Sequence, residues 1–215
     1  MPVWVLVLPA LSVAVAFQLK VPTITDVNVA GGFYKVGAAP AATCTATDSF
    51  SGLLSCKLAV TGATNGVGTF TWTATATDKA GNTSTQTGTY KVTYRFDGFL
   101  QPINDTAHQT GLTTSVFKAG STIPVKFQLK NSAGTAVQSA TAPVWLTPVL
   151  GAKMSMPVDE TAVTVSADSG STFRYDATAQ QYIYNWKTPS TGGNYYQIGA
   201  KLDDGQIYYV NIGLR

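Results

Sequence analysis

The chain has 215 residues, of which 45% are hydrophobic and only 12% charged, with a formal net charge of +3. That length admits one large or two small domains, and the hydrophobic share excludes a disordered chain. The charged fraction lies well below the ~25% of ordinary globular proteins, and the basic residues are scattered, which leaves no electrostatic footprint for nucleic acid or an acidic membrane surface.

Thr, Ser, Gly, Val and Tyr dominate instead. β-Branched and aromatic side chains suit pleated surfaces, and Gly, Pro, Asn and Asp mark turns, so the composition predicts an all-β protein with a packed core. In chain order, residues 1–20 come first. Val3 to Ala16 is an apolar run of signal-peptide length ending in Ala14-Val15-Ala16, an A-x-A pattern, and too short for a comfortable membrane span. It reads as a secretory signal, or alternatively as the remnant of an upstream domain or a core strand. No membrane-spanning segment is expected.

Strands are then expected at Ala41–Thr47 and Leu53–Val60, paired across the turn Asp48–Gly52. Period two is clearest in Phe70 to Thr77, where Phe70, Trp72, Ala74 and Ala76 share one face and four threonines the other. Asp78-Lys-Ala-Gly-Asn82 is a turn, and alternation resumes from Thr83 to Phe96, which predicts a hairpin. Short strands at this spacing suggest a sandwich. The polar stretch from Gln101 to Gly120 has no period and reads as a long loop.

Val125, Phe127 and Leu129 then alternate with Lys126, Gln128 and Lys130. This places Lys126 on the solvent face of a strand, without the Gly-rich loop and helix of a phosphate cradle. Further strands are expected at Pro143–Leu150, Ala162–Ser166, Thr172–Tyr175, Gln181–Lys187, Tyr195–Leu202 and Gln206–Leu214. Asp203-Asp204-Gly205 reads as a hairpin turn between the last two. The expected architecture is therefore two antiparallel β-sandwich modules in tandem, at 21–95 and 96–215.

No catalytic constellation emerges. There is no G-x-S-x-G elbow. The single histidine, His108, reads as a loop residue without a positioned acid. Asp203 and Asp204 are adjacent turn carboxylates that point apart. Asp48 and Asp78 each follow a strand and open a turn. If the two turns share one end of a sandwich they could offer oxygens to Ca²⁺, although the EF-hand pattern is absent. Tyr182, Tyr184 and Trp186 share a strand face and could stack sugars, but Asn185 and Lys187 mark the opposite face as the wet one, which argues for core. Cys44 and Cys56 fit no metal set. They are either one disulfide or two buried thiols.

From Val36 to Tyr94 the chain resembles the bacterial Ig-like modules of secreted and surface proteins. The residues that carry this are Ala42-Thr-Cys-Thr-Ala-Thr-Asp48, Ser51-Gly52, Ser55-Cys56, Val67-Gly68-Thr69 and Ala74-Thr-Ala-Thr-Asp-Lys-Ala-Gly-Asn-Thr83. Gly98-Phe99-Leu-Gln-Pro102 and Gly120-Ser-Thr-Ile-Pro-Val-Lys-Phe127, with Arg174-Tyr-Asp176 and Tyr182-Ile-Tyr-Asn-Trp-Lys-Thr188, resemble the PxKF domain found at the C-terminus of such proteins. The first resemblance implies a Cys44–Cys56 disulfide. Members of the second family often carry another cysteine pair, which this chain lacks. Together they imply a secreted or cell-surface bacterial protein whose module pair is non-catalytic, structural or adhesive, without a cofactor, and with a protein or glycan ligand. The alternatives are a carbohydrate-binding module using the Tyr/Trp-rich C-terminal hairpins and a calcium-stabilised surface repeat.

Overall fold

A computed structural model describes residues 20–160 and 165–215. Most of the apolar segment 1–20 and of the expected strand Ala162–Ser166 therefore lies outside the described residues; Val165 and Ser166 are not in a strand. The described residues contain strands and turns and no helix. The strands are β1 (Thr23–Val27), β2 (Phe33–Tyr34), β3 (Cys44–Thr47), β4 (Leu53–Thr61), β5 (Gly68–Asp78), β6 (Thr83–Val92), β7 (Arg95–Leu100), β8 (Val116–Phe117), β9 (Thr122–Lys130), β10 (Val144–Lys153), β11 (Arg174–Asp176), β12 (Gln181–Lys187), β13 (Asn194–Lys201) and β14 (Ile207–Leu214). They divide into two compact units. The first comprises the described residues up to Tyr34, Ala38–Ala63 and Thr69–Lys91; the second comprises Lys35–Gly37, Thr64–Gly68 and Val92–Arg215.

In the first unit a two-stranded sheet, β1-β3, accompanies a four-stranded sheet, β2-β6-β5-β4. The alternation of β5 takes the expected faces, with Trp72, Ala74 and Ala76 buried and the threonines between them partly exposed. The Trp72 ring lies where a Cβ on Gly88 would stand, so a side chain there would displace the indole. Phe70 stacks on Tyr90 with centroids 5.1 Å apart. Two short strands, β1 and β2, carry too few alternating residues to be seen as periodic.

One expected pairing is wrong. β3 does not form a hairpin with β4: it pairs with β1 in the other sheet, while β4 pairs with β5. The connecting turn is wide rather than tight, because Asp48 Oδ1 accepts the amides of Phe50, Ser51 and Gly52. The chain thus changes sheet, and the Cys44–Cys56 disulfide ties the two-stranded sheet to the edge of the four-stranded one.

The second unit is a sandwich of two four-stranded sheets, β11-β12-β9-β7 and β10-β13-β14-β8. Their facing surfaces interlock through aromatic rings. Trp145 of β10 stacks on Tyr184 of β12 at 4.5 Å, and Phe96 of β7 stacks on Tyr208 of β14 at 3.9 Å. Phe127 sits fully buried among Phe96, Phe99, Phe173 and Tyr182. Val125 and Leu129 are buried with it, whereas Lys126, Gln128 and Lys130 are partly exposed, as period two requires. The Asp203–Gly205 turn closes β13 onto β14 as expected, with Lys201 opposite Ile207.

Two further expectations need correction. The segment Gln101–Gly120 is not loop throughout, because β8 pairs with β14, and in parallel, so the sandwich is not purely antiparallel. Two residues are too few to show a period. The alternation from Thr83 to Phe96 is interrupted at Thr93-Tyr94, both buried and outside the ladders, with β6 ending before them and β7 starting after.

Truncating Phe127 to Ala removes a fully buried ring and should cost about 3–5 kcal/mol. Lys126→Ala should change stability by less than about 0.5 kcal/mol. Urea unfolding of the full chain, followed by amide exchange in β9 and β12, measures both; the reverse order of effects would turn the strand inside out.

Candidate functional site

The acidic end of the first unit is a hydrogen-bonded turn pair. Asp48 and Asp78 do come to one end, joined by the Ser51 hydroxyl, whose Oγ lies 3.1 Å from Asp48 Oδ1 and 2.8 Å from Asp78 Oδ2. Asp78, fully buried, also accepts the Asn82 backbone N–H and side-chain amide, both at 2.8 Å. Burial pushes each carboxyl up, but the donors outweigh it. Gly52, Ser51 and Phe50 hold Asp48 below the ordinary carboxyl value, and Asn82, Ser51 and Ala80 do the same for Asp78. Ca²⁺ wants six to eight oxygen ligands. Here the carboxylates already accept N–H and O–H donors from the turns, and no group of three or more His, Cys, Asp or Glu able to hold a metal occurs among the described residues.

His108 does have a positioned acid, contrary to expectation. Its Nδ1 lies 2.8 Å from Oδ2 of the fully buried Asp105, three residues upstream. Asp105 also accepts the amides of Phe99, Ala107 and His108. The imidazole edge meets the Phe96 and Tyr208 rings. A general base needs a nucleophile within hydrogen-bond reach, and no hydroxyl or thiol of the described residues bonds Nε2. The pair anchors the 101–115 segment. Asp203 and Asp204 also part company as expected. Asp204, fully buried, accepts the Tyr94 and Gln206 amides. Asp203 accepts the Thr141 amide. Burial and the Asp204 charge push the Tyr208 phenol up to about 12.

The aromatic strip is core. Tyr182, Tyr184 and Trp186 are 1%, 6% and 7% exposed. Tyr182 Oη is held by the Ser139 amide and hydroxyl, and Tyr184 Oη donates to the Gly170 carbonyl. Trp186 packs on Trp145 and Tyr196. Stacking a sugar needs an open ring face, and here Tyr184 and Trp186 are packed by Trp145 and Tyr196 of the opposing sheet and Tyr182 by Phe127 and Tyr175 of its own.

The open surface lies on the other side of that opposing sheet. The inward residues of β13 and β14 are Ile198, Ala200, Val210 and Ile212, so Tyr195, Gln197, Tyr209 and Asn211 point outward. A groove of about 450 Å³ forms there, lined by Thr114, Val149, Leu150, Gly151, Ala152, Tyr195, Gln197 and Asn211. Gln197 stands between Val149 of β10 and Asn211 of β14 in the register. One step along the sheet, the partly exposed Tyr209 ring leans over Gly199, where a Cβ would meet it at 2.6 Å. No lining residue is charged. Period two and the Asp203–Gly205 turn already imply this outward set, but the groove needs β10 beside β13, a pairing between strands far apart in the chain.

No family model matches this chain, and no curated protein matches it. Solved structures similar to it include SGBP-B of the Bacteroides ovatus mixed-linkage glucan utilization locus, in complex with a mixed-linkage heptasaccharide. It is 13% identical, with a TM-score of 0.26, over 91% of this chain and 48% of that one. Another is mouse clustered PcdhgC3 EC1-3, 11% identical with a TM-score of 0.28, over 92% of this chain and 68% of that one. The chain thus spans about half the length of the first, and at these TM-scores neither likeness carries a ligand or a partner across.

The two low carboxyl values have a pH signature. The folded Asp48 and Asp78 lie below their unfolded values, so their contribution is complete above about pH 4 and is lost as pH falls through the folded values. Thermal melts of the first unit should drop in acid, and Asp78→Asn should flatten part of that drop. Excess calcium and EDTA should give the same melting temperature; a calcium-induced rise would return the pair to cation chemistry.

Proposed function

We propose that this chain is a non-catalytic pair of extracellular β-sandwich modules. It would be a bacterial Ig-like module at 21–95 followed by a PxKF-type domain at 96–215, serving as a structural or adhesive appendage of a secreted or cell-surface protein. The observation that carries the reading is the Cys44–Cys56 disulfide joining the two sheets of the first unit. Thiols in the cytosol are kept reduced, so a structural disulfide favours an oxidising compartment.

Two features support the non-catalytic part. The buried carboxylates Asp78, Asp105 and Asp204 are all engaged by amides of neighbouring turns and loops. The one histidine is held by Asp105 without a nucleophile beside it. The partner in this reading is an extracellular glycan or protein, and neither nucleic acid nor a cofactor has a place in it. No helix among the described residues is long and apolar enough to cross a membrane.

Protein exported by its native host should take up iodoacetamide at Cys44 and Cys56 only after reduction, as read by intact mass. Reduction should destabilise the first unit by about 3 kcal/mol, the chain-entropy value for a loop of this size. Two freely alkylated thiols in exported protein, or a chain retained in the cytosol, would contradict the reading.

A further inference from the structure

We infer that the groove on the outer face of β10, β13 and β14 is a binding site for a neutral glycan chain, with Tyr195, Gln197 and Asn211 making the contacts. This rests on the reading of the chain as an adhesive module and names its ligand class. The groove lining offers one tyrosine ring, two side-chain amides, the Thr114 hydroxyl and an apolar floor, and it carries no charge.

Gln197 and Asn211 are directly opposite one another on neighbouring antiparallel strands, so their Cβ atoms stand ~4.5–5.5 Å apart. Neither side-chain amide is engaged by another described residue, nor is the Thr114 hydroxyl beside them. An amide presents both donors and an acceptor, which suits a hydroxyl-rich ligand whose groups do both. Tyr195 joins them on the same face of β13, two residues from Gln197, and is only partly buried. Its ring gives the C–H face of a sugar an apolar surface, and the exposed Val149 and Leu150 extend that floor. A volume of about 450 Å³ falls in the ~300–1,000 Å³ range of small-ligand clefts. All three contact residues are on strands, which fix their backbone positions more precisely than loops would.

The absence of any charged lining residue argues against phosphorylated, sulfated or uronate-rich ligands, which would be desolvated without a counter-charge. A peptide adding a strand to the β10 edge is disfavoured as well. Pro148 interrupts the row of amide donors within β10, at the register shift between Leu146 and Val149.

Affinity electrophoresis of the full chain tests this. The probes are laminarin, xyloglucan and galactomannan as neutral polysaccharides, and alginate, polygalacturonate and chondroitin sulfate as charged ones. At least one neutral polysaccharide should retard the protein, and the charged ones should not. Gln197→Ala and Asn211→Ala should each weaken retardation by about 2–10-fold, the value of one hydrogen bond. Tyr195→Ala should weaken it more, and Tyr195→Phe should retain it. Lys126→Ala, on the other sheet, should leave it unchanged. Melting temperatures accompany every variant, because Tyr195 Oη donates to Met156 Sδ; the two amide variants report even if Tyr195→Ala is unstable. No retardation by any neutral polysaccharide, a preference for the charged ones, or retardation indifferent to Gln197 and Asn211 would overturn the inference. Release of reducing ends from a bound polysaccharide would instead contradict the non-catalytic reading and leave the groove standing.

Discussion

A backbone amide that leaves a β-ladder inside a protein must find another acceptor, and in this chain the acceptor is repeatedly an aspartate. Asp78, Asp105 and Asp204 are fully buried. Asp78 holds the Asn82 amide, Asp105 holds those of Phe99, Ala107 and His108, and Asp204 holds those of Tyr94 and Gln206. Each sits at a strand end or within a loop, where the ladder stops and the chain turns; the Tyr94 and Phe99 donors belong to buried residues, whereas Asn82, Ala107 and His108 lie on more open turns. A buried donor without a partner costs about 1–3 kcal/mol, so a few such carboxylates decide whether the loops of a sandwich are ordered. The aromatic layer of the second unit depends on this, because Phe99 can enter the core beside Phe127 only if its own amide is satisfied.

The same commitment shapes what the molecule can do. With 12% of its residues charged, the chain has few ionisable groups to offer, and its buried acids are already engaged by amides. What lines the groove on the outer sheet of the second unit is neutral, a tyrosine ring, amides, a hydroxyl and aliphatic side chains, while Lys153 and Lys201 are exposed elsewhere on its strands. A surface of that kind recognises through shape and hydroxyl-matching hydrogen bonds. The carbohydrate site we propose lies in a different place from the one suggested by Tyr182, Tyr184 and Trp186. Those rings build the sandwich interior, and the candidate contacts lie on the far side of the sheet that covers them.

Period two made most of the fold legible. Phe70 to Ala76, Val125 to Leu129 and Tyr182 to Trp186 show their inward faces directly, because a strand with one wet face must alternate. Strands of two residues, such as β2 and β8, have no period to read. The sheet change at Cys44 was hidden because Asp48–Gly52 looks like a hairpin turn unless the Asp48 carboxylate is seen collecting three amides. Asp105 beside His108 was missed for a related reason: an aspartate in a polar loop looks solvated until long-range packing buries it. Gln197 and Asn211 were within reach, since the Asp203–Gly205 turn sets their register, but the groove that gives them meaning depends on β10.

Amide hydrogen exchange at Tyr94 and Phe99 tests the central claim most directly. Both amides donate to buried carboxylates, to Asp204 at 3.0 Å and to Asp105 at 2.7 Å. If aspartates anchor the ladder ends, these amides exchange as slowly as those of β9 and β12, opening only with the unit as a whole. Exchange at the rate of a solvated loop would mean that the carboxylates are incidental and that the sandwich holds its loops by other means.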